Sequence, residues 1–376
     1  MPSIQRGKAL TAFVSVSLAT VVLALGLVLA SCGEVVDTAH FRADEARTGF
    51  YPRGGTPTLS EPLFVYDAGA PIYSAPVVAG GRVVFGTVAG EILSLDARTG
   101  ELMWSFQTRG PVNSSAAIGD NTVFIGSADG NVYALDEMTG RSKWRKRVGA
   151  GVSSSPLLSG GVIYVGGTDG TLHALSAESG ETVWDRQVGD AVSSSPATVD
   201  GVLCVGTWEG MLVALDALSG EELWSTEVED AVTVTPTIVD SFVYFGSLDE
   251  NLYAVYLSDG SYAGQIPVDG PVSASPAVTG GRVYFASWDH GVYAADLGSG
   301  ELAWVFVTGD AVYSSPCVSG GRVYVGSGDR NVYAISVETG EEIARFETGG
   351  RVNSSPCVWR NTLYIGSEDG TLYALR

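Results

Sequence analysis

Seven acidic residues recur forty positions apart, as Asp129, Asp169, Glu209, Asp249, Asp289, Asp329 and Asp369, with Ala89 breaking the series. Carboxylates at one register could ring a divalent cation, which takes oxygen ligands at about 2.3–2.6 Å. Their register, however, is that of the hairpin turn an acid before glycine builds, as at Asp129, Asp169, Glu209 and Asp369. A symmetric ring would also hold them too far apart to share one ion. They read as turn residues. No His, Cys or carboxylate cluster has metal-ligand spacing, so no metal ligand is assigned. The many serines lack a Gly-x-Ser-x-Gly elbow, and none of the three histidines is placed as their base. No catalytic or cofactor-binding residue is assigned either.

Departures from that regularity carry more information. Where the plain turn is Asp-Gly, the sequence substitutes Trp208-Glu209, Leu248-Asp249-Glu250, Trp288-Asp289-His290 and Gly328-Asp329-Arg330. Packing a turn requires none of these side chains, and exposed aromatics beside charges mark binding surfaces. The candidate partner or ligand patch is Trp208, Trp288, His290, Tyr313 and Arg330. His173 replaces a tyrosine of the repeat and is expected to be a packed side chain.

The elements that must position these residues follow from a forty-residue period that begins at residue 71 and runs without insertion or deletion. Val112-Asn113-Ser114-Ser115 returns as Val152-Ser153-Ser154-Ser155, Val192-Ser193-Ser194-Ser195, Val312-Tyr313-Ser314-Ser315 and Val352-Asn353-Ser354-Ser355. A period of this length built from short strands predicts a propeller blade. The expected first strand is the Val-x-Ser-Ser-Pro segment. A two-residue turn follows, such as Gly80-Gly81, Asp120-Asn121 or Arg360-Asn361, of the kind that tolerates positive φ. Alternating second and third strands come next, and a loop of the form Asp-x-x-Thr/Ser-Gly opens the fourth. Four strands in forty residues leave no room for a helix.

Repeats begin at 71, 111, 151, 191, 231, 271, 311 and 351, and the eighth stops at Arg376 after three strands. Its missing strand is available at the other end, where Leu63-Phe64-Val65-Tyr66-Asp67 matches Leu102-Met103-Trp104-Ser105-Phe106 in register. The expected fold is therefore all-β: an eight-bladed propeller of four-stranded antiparallel blades over 62–376, its ring closed by an N-terminal strand that completes the C-terminal blade. Trp104, Trp144, Trp184, Trp224 and Trp304 recur in the fourth strands as packing residues, with Gly264 and Ala344 breaking the series.

The first 31 residues carry the address. Arg6 and Lys8 precede an uncharged stretch ending in Leu29-Ala30-Ser31-Cys32. A basic region, an apolar region and small residues before a cysteine describe an export signal of lipoprotein type. Cleavage before Cys32 and lipidation of that residue are expected, with 32–61 forming an anchored linker and lead-in. The alternative is an uncleaved membrane helix, since the stretch is long enough to span a bilayer. Cys204, Cys317 and Cys357 remain. Cys317 and Cys357 occupy equivalent positions in adjacent repeats, beyond disulfide reach, so free buried thiols are expected. The formal net charge of −21 repels phosphate backbones and disfavours nucleic acid.

Tyr133-Ala134-Leu135-Asp136, continuing through Thr139-Gly140 to Trp144, resembles the repeat of the pyrroloquinoline-quinone-like propeller family. Phe41-Arg42-Ala43-Asp44 to Arg47-Thr48-Gly49 resembles the lead-in that precedes such propellers. The likeness covers roughly residues 41–376. One branch of the family, the quinoprotein dehydrogenases, holds its quinone under a disulfide between adjacent cysteines, beside a calcium ion and a catalytic aspartate. No Cys-Cys pair, no Cys-x-x-Cys-His site and no long insertion occurs here. The resemblance is nearer to the lipidated, cofactor-free outer-membrane assembly branch typified by BamB. It implies a monomeric, non-catalytic scaffold for envelope proteins, held to the membrane by its anchor and binding no nucleic acid. A quinone- or small-molecule-binding propeller, enzymatic or sensory, is the alternative it leaves.

Overall fold

The computed structural model describes residues 39–376; the signal segment and Cys32 lie outside the described residues. Within them the chain forms eight four-stranded antiparallel sheets and no helix. The first blade comprises Val77–Ala79, Arg82–Gly86, Glu91–Asp96 and Leu102–Gln107. Blades two to seven repeat it at the forty-residue interval, and the eighth contains Cys357–Trp359, Thr362–Gly366 and Thr371–Leu375. Burial explains the sequence pattern. The three inner strands of a blade are covered by neighbouring blades on both faces and read as continuous apolar runs. The fourth, at the rim, alternates.

The closing strand is the expected one, but its register is shifted by one residue: Phe64, not Val65, takes the Trp104 position, standing opposite Ala374 as Trp104 stands opposite Ser94. Pro62–Asp67 pairs antiparallel with Thr371–Leu375, setting Tyr66 opposite Leu372 and Val65 opposite Tyr373. Seven of the eight inner hairpin pairs take positive φ at both residues, including Asp120 (51°) with Asn121 (54°). In Asp240-Ser241 only the aspartate does so.

The first strand of each blade is shorter than expected. The Val-x-Ser-Ser segment is irregular, and strand begins only after the next position, a proline that cannot donate to a ladder in seven blades and Ala116 in the second. The serines have another task. The first of each pair accepts from a backbone N–H of its own blade: Gly126 N donates to Ser114 Oγ at 3.1 Å and Gly326 N to Ser314 Oγ at 3.0 Å. The second accepts from the next-lower blade, as in Ala75 N to Ser115 Oγ (2.9 Å), Ser115 N to Ser155 Oγ (3.0 Å) and Ser155 N to Ser195 Oγ (2.9 Å). Hydroxyls thus tie blade to blade around the axis, at about 0.5–1.5 kcal/mol each.

The segment 39–59 crosses the inside of the ring. Ala39 and Ile118 exchange two backbone hydrogen bonds, at 2.9 and 2.8 Å. Thr198, Ile238, Val278 and Val318 N–H groups donate to the carbonyls of Glu45, Ala46, Thr48 and Gly49 at 2.8–3.0 Å. These donors lie on inner strands whose outward-facing ladder is already made, so the lead-in satisfies edges that would otherwise be unpaired.

Candidate functional site at the link end of the propeller

Antiparallel order puts two sets of turns at one end of the ring: those joining second to third strands, and the links entering each inner strand. The recurring acids belong here, and the fold consumes five of them through a tyrosine of the same blade. The Tyr133 hydroxyl donates to Asp129 Oδ2 at 2.5 Å, Arg109 N donates to the same oxygen at 3.0 Å, and Asn131 N donates to Oδ1 at 3.0 Å. Asp249, Asp289, Asp329 and Asp369 take the same bond from Tyr253, Tyr293, Tyr333 and Tyr373 at 2.6–2.8 Å. Burial opposes ionisation of Asp129 and Asp329. No single hydrogen bond outweighs it, but those from the tyrosine, the asparagine and the backbone N–H groups together do, and they hold both carboxyls below the usual range. Among the described residues no group of three or more His, Cys, Asp or Glu side chains could hold a metal ion.

The aromatic departures are placed differently. Trp208 donates its indole N–H to Ser193 Oγ at 2.8 Å and leaves 53 % of its surface exposed. Trp288 donates likewise to Ser273 Oγ, and its ring centroid is 5.3 Å from that of Tyr313 in the next blade. In both blades the first residue of the turn leans over the irregular segment that carries the serines. The same relation joins Asn353 to Glu368, whose Oε1 also accepts from Tyr73 at 3.3 Å. Tyr73, Asn353 and Glu368 were not singled out from the sequence. Tyr73 stands at the register of Tyr313, which could have revealed it.

His290 and Arg330 occupy the last residue of their turns, above the end of the fourth strand rather than beside the tryptophans. Thr308 N donates to the His290 carbonyl at 2.9 Å, and Thr348 N to that of Arg330 at 2.8 Å. With Glu250 they have φ of 71–75° at a position that is glycine in the other five blades. Left-handed backbone at a non-glycine residue costs about 1–3 kcal/mol. Blades five to seven therefore carry strained, chemically distinct side chains (Glu, His, Arg) that the repeat does not need. The structure brings Trp288 and Tyr313 together. It sets Trp208 two blades away on the same end, with His290 and Arg330 further out.

His173 is buried, and its Nδ1 lies 2.7 Å from Asp185 Oδ1 across the sheet. Cys204, Cys317 and Cys357 are free and buried, and burial pushes the Cys357 thiol up to about 11.

The lead-in contributes two arginines, both within the segment that resembles the family's lead-in, to which the sequence analysis assigned no role. Arg47 is fully buried and donates to the carbonyls of Pro196 (3.0 Å), Pro156 (2.9 Å) and Phe41 (2.5 Å). Arg42 donates to Pro316 (3.4 Å), to Arg47 (3.3 Å) and to Pro276. Burial lowers them to about 9 and about 10, still charged at neutral pH. His40 lies beside them, and burial, then the Arg47 charge, pushes its imidazole down to about 3. A cavity of about 340 Å³ is lined by His40, Asp44, Tyr51 and Arg53 of the lead-in and by Val77, Val78, Cys357 and Trp359 of blades one and eight.

The family model described as outer membrane protein assembly factor BamB matches residues 60–119, 90–255, 233–316 and 308–376, almost the entire ring. The chain belongs to the BamB family. Among solved structures it is similar to BamB from Moraxella catarrhalis (TM-score 0.75, 21 % identity), covering 84 % of this chain and 99 % of that one. The computationally designed Ika8 protein superposes with TM-score 0.74 at 19 % identity, over 82 % of this chain and 97 % of that one. Quinohemoprotein alcohol dehydrogenase from Comamonas testosteroni gives TM-score 0.79 at 15 % identity, over 89 % and 79 % respectively. At these identities the structural likenesses establish the fold alone. A comparison with curated protein sequences finds no match.

Proposed function

We propose that this BamB-family chain is an exported lipoprotein, cleaved before Cys32 and lipidated there, that serves as a monomeric, non-catalytic scaffold in the assembly of outer-membrane proteins. It faces the periplasm and presents the link end of its propeller to envelope proteins. The observation that carries the reading is the pair of exposed indoles, Trp208 and Trp288, each pinned through its N–H to a serine of its own blade. An aromatic face fixed by one hydrogen bond loses little entropy on contact, which suits the centre of a protein interface. Tyr313, His290 and Arg330 extend the same surface over blades six and seven. The buried network of serines, arginines and carbonyls beneath makes a rigid base for it.

Capture from native membranes tests the proposal. The unaltered protein retains an envelope partner, and the double variant Trp208→Ala/Trp288→Ala loses it while keeping its melting temperature. Retention of every partner by the double variant would overturn the assignment of the surface. A mature protein that still begins at Met1 would overturn the lipoprotein assignment.

A further inference from the structure

In five blades the fourth-strand tryptophan closes the gap to the next blade in one way. Trp104, Trp144, Trp184, Trp224 and Trp304 donate their indole N–H to the carbonyls of Glu137, Ala177, Ala217, Leu257 and Val337, at 2.8–3.1 Å. Each ring lies against the loop glycine of the next blade so closely that a Cβ on Gly140, Gly180, Gly220, Gly260 or Gly340 would come within 3.0 Å of it. Phe64 lies in the same way against Gly100.

The two breaks in the series have opposite outcomes. At Ala344 the chain's own lead-in fills the space. Leu59 packs with Tyr324, Ala344 and Phe346, while the Tyr324 hydroxyl and Arg322 each donate to the Pro57 carbonyl at 2.8 Å. At Gly264 nothing fills it. A Cβ on Gly264, or on Gly300 opposite, would meet no atom within 4 Å. An opening of about 730 Å³ remains between blades five and six, walled by Phe242, Tyr244, Ile266, Val283 and Leu297.

This slot keeps the fittings of its counterparts. Leu297 N donates to Gly281 O at 2.9 Å, as Val337 N does to Gly321 O at 3.2 Å, so the Leu297 carbonyl stands where an indole N–H is received in five other blades. Among the described residues it accepts no hydrogen bond. Asp240 and Asp296 line the opening.

We propose that the gap between blades five and six docks a tryptophan of a partner polypeptide, with basic residues flanking it. The indole takes the place left by Gly264 and donates to the Leu297 carbonyl. The opening exceeds a single ring, and the equivalent gap at blade seven already holds an extended segment of chain, so the occupant is a side chain with its backbone attached. The flanking cations answer Asp240 and Asp296. The slot is separate from the link-end surface, and neither assignment depends on the other.

Titration calorimetry on the purified protein with Ac-Lys-Trp-Lys-NH2, Ac-Glu-Trp-Glu-NH2, Ac-Lys-Ala-Lys-NH2 and free indole tests it. The first peptide binds, and the other three bind at least about tenfold more weakly. Gly264→Trp fills the slot, abolishes binding and raises the melting temperature. Amide signals of Leu297 and Gly298 in the unaltered protein shift on adding the first peptide, which decides the matter even if the variant does not fold. Equal binding of the alanine or glutamate peptide, binding that survives Gly264→Trp, or no binding at all would overturn the proposal. Indole binding as tightly as the peptide would overturn the choice of a polypeptide occupant.

Discussion

Arg47 Nη2 lies 2.9 Å from the carbonyl oxygen of Pro156, so a side chain from outside the repeats is fastened to the inner end of the third blade. The same guanidinium reaches Pro196 in the fourth blade, and Arg42 reaches Pro276 and Pro316 in the sixth and seventh. Carbonyls that precede a short strand and point at the axis have no ladder partner. Two forked cations supply donors for them without any carboxylate in contact.

Removing that fork is therefore costly. Arg47→Met leaves the Pro156, Pro196 and Phe41 carbonyls without their donors, and an orphaned buried acceptor costs about 1–3 kcal/mol. A loss of about 2–4 kcal/mol is expected, measured as a lower urea midpoint with the slope unchanged. An unchanged midpoint would mean the lead-in is not coupled to the ring.

His40 predicts an acid-sensitive limb. Its folded-state pKa of about 3 lies below the ordinary 6.5, so the imidazole is neutral when folded and protonates more readily when unfolded. Its contribution is fully present above 6.5 and is lost as pH falls toward 3. By about pH 4.5 the loss reaches roughly 2–3 kcal/mol. In melting curves across this range His40→Leu flattens the limb; parallel curves for the two proteins would exclude His40 as its source.

Phe64 predicts how the ring opens. It substitutes for the blade tryptophan, lies against Gly100, and has its ring centroid 6.3 Å from that of Tyr364. Phe64→Ala is expected to cost about 2–3 kcal/mol, somewhat less than for a fully buried ring. Hydrogen exchange should show the loss first in Pro62–Asp67 and Thr371–Leu375, and uniform deprotection of all eight blades would contradict closure at this seam.

The thiols predict silence. Cys204, Cys317 and Cys357 are buried and free, and burial raises each thiol pKa. A maleimide at neutral pH leaves all three unlabelled in the folded protein and labels all three in urea. A non-reducing peptide map that joins Cys317 to Cys357 would contradict this.

Much of the fold was legible because a forty-residue period with turn pairs such as Gly80-Gly81 leaves few alternatives, and because the apolar run around Phe64 resembles the fourth strands, although its register was read one residue out. What escaped had local causes. Ser114 and Ser115 looked like strand residues because small side chains suit crowded strands; their hydrogen bonds run to Gly126 of their own blade and to Ala75 of the preceding one. The pairing of Asp129 with Tyr133 was present in the spacing, yet an acid before glycine already had a sufficient explanation as a turn. Arg42 and Arg47 could not be placed, since their partners are carbonyls scattered from Pro156 to Pro316. Gly264 was visible as a break in a series, but only the packing at Ala344 distinguishes a filled gap from an open one.

Photo-crosslinking in the native envelope decides whether partners meet the link end of the wheel. A photoreactive residue replaces either Tyr313, beside Trp288, or Leu218, which is 82 % exposed on a loop at the opposite end. Docking at the link end gives a discrete protein adduct from position 313 and none from position 218. An adduct from 218 alone, or the same adduct from both, would contradict it.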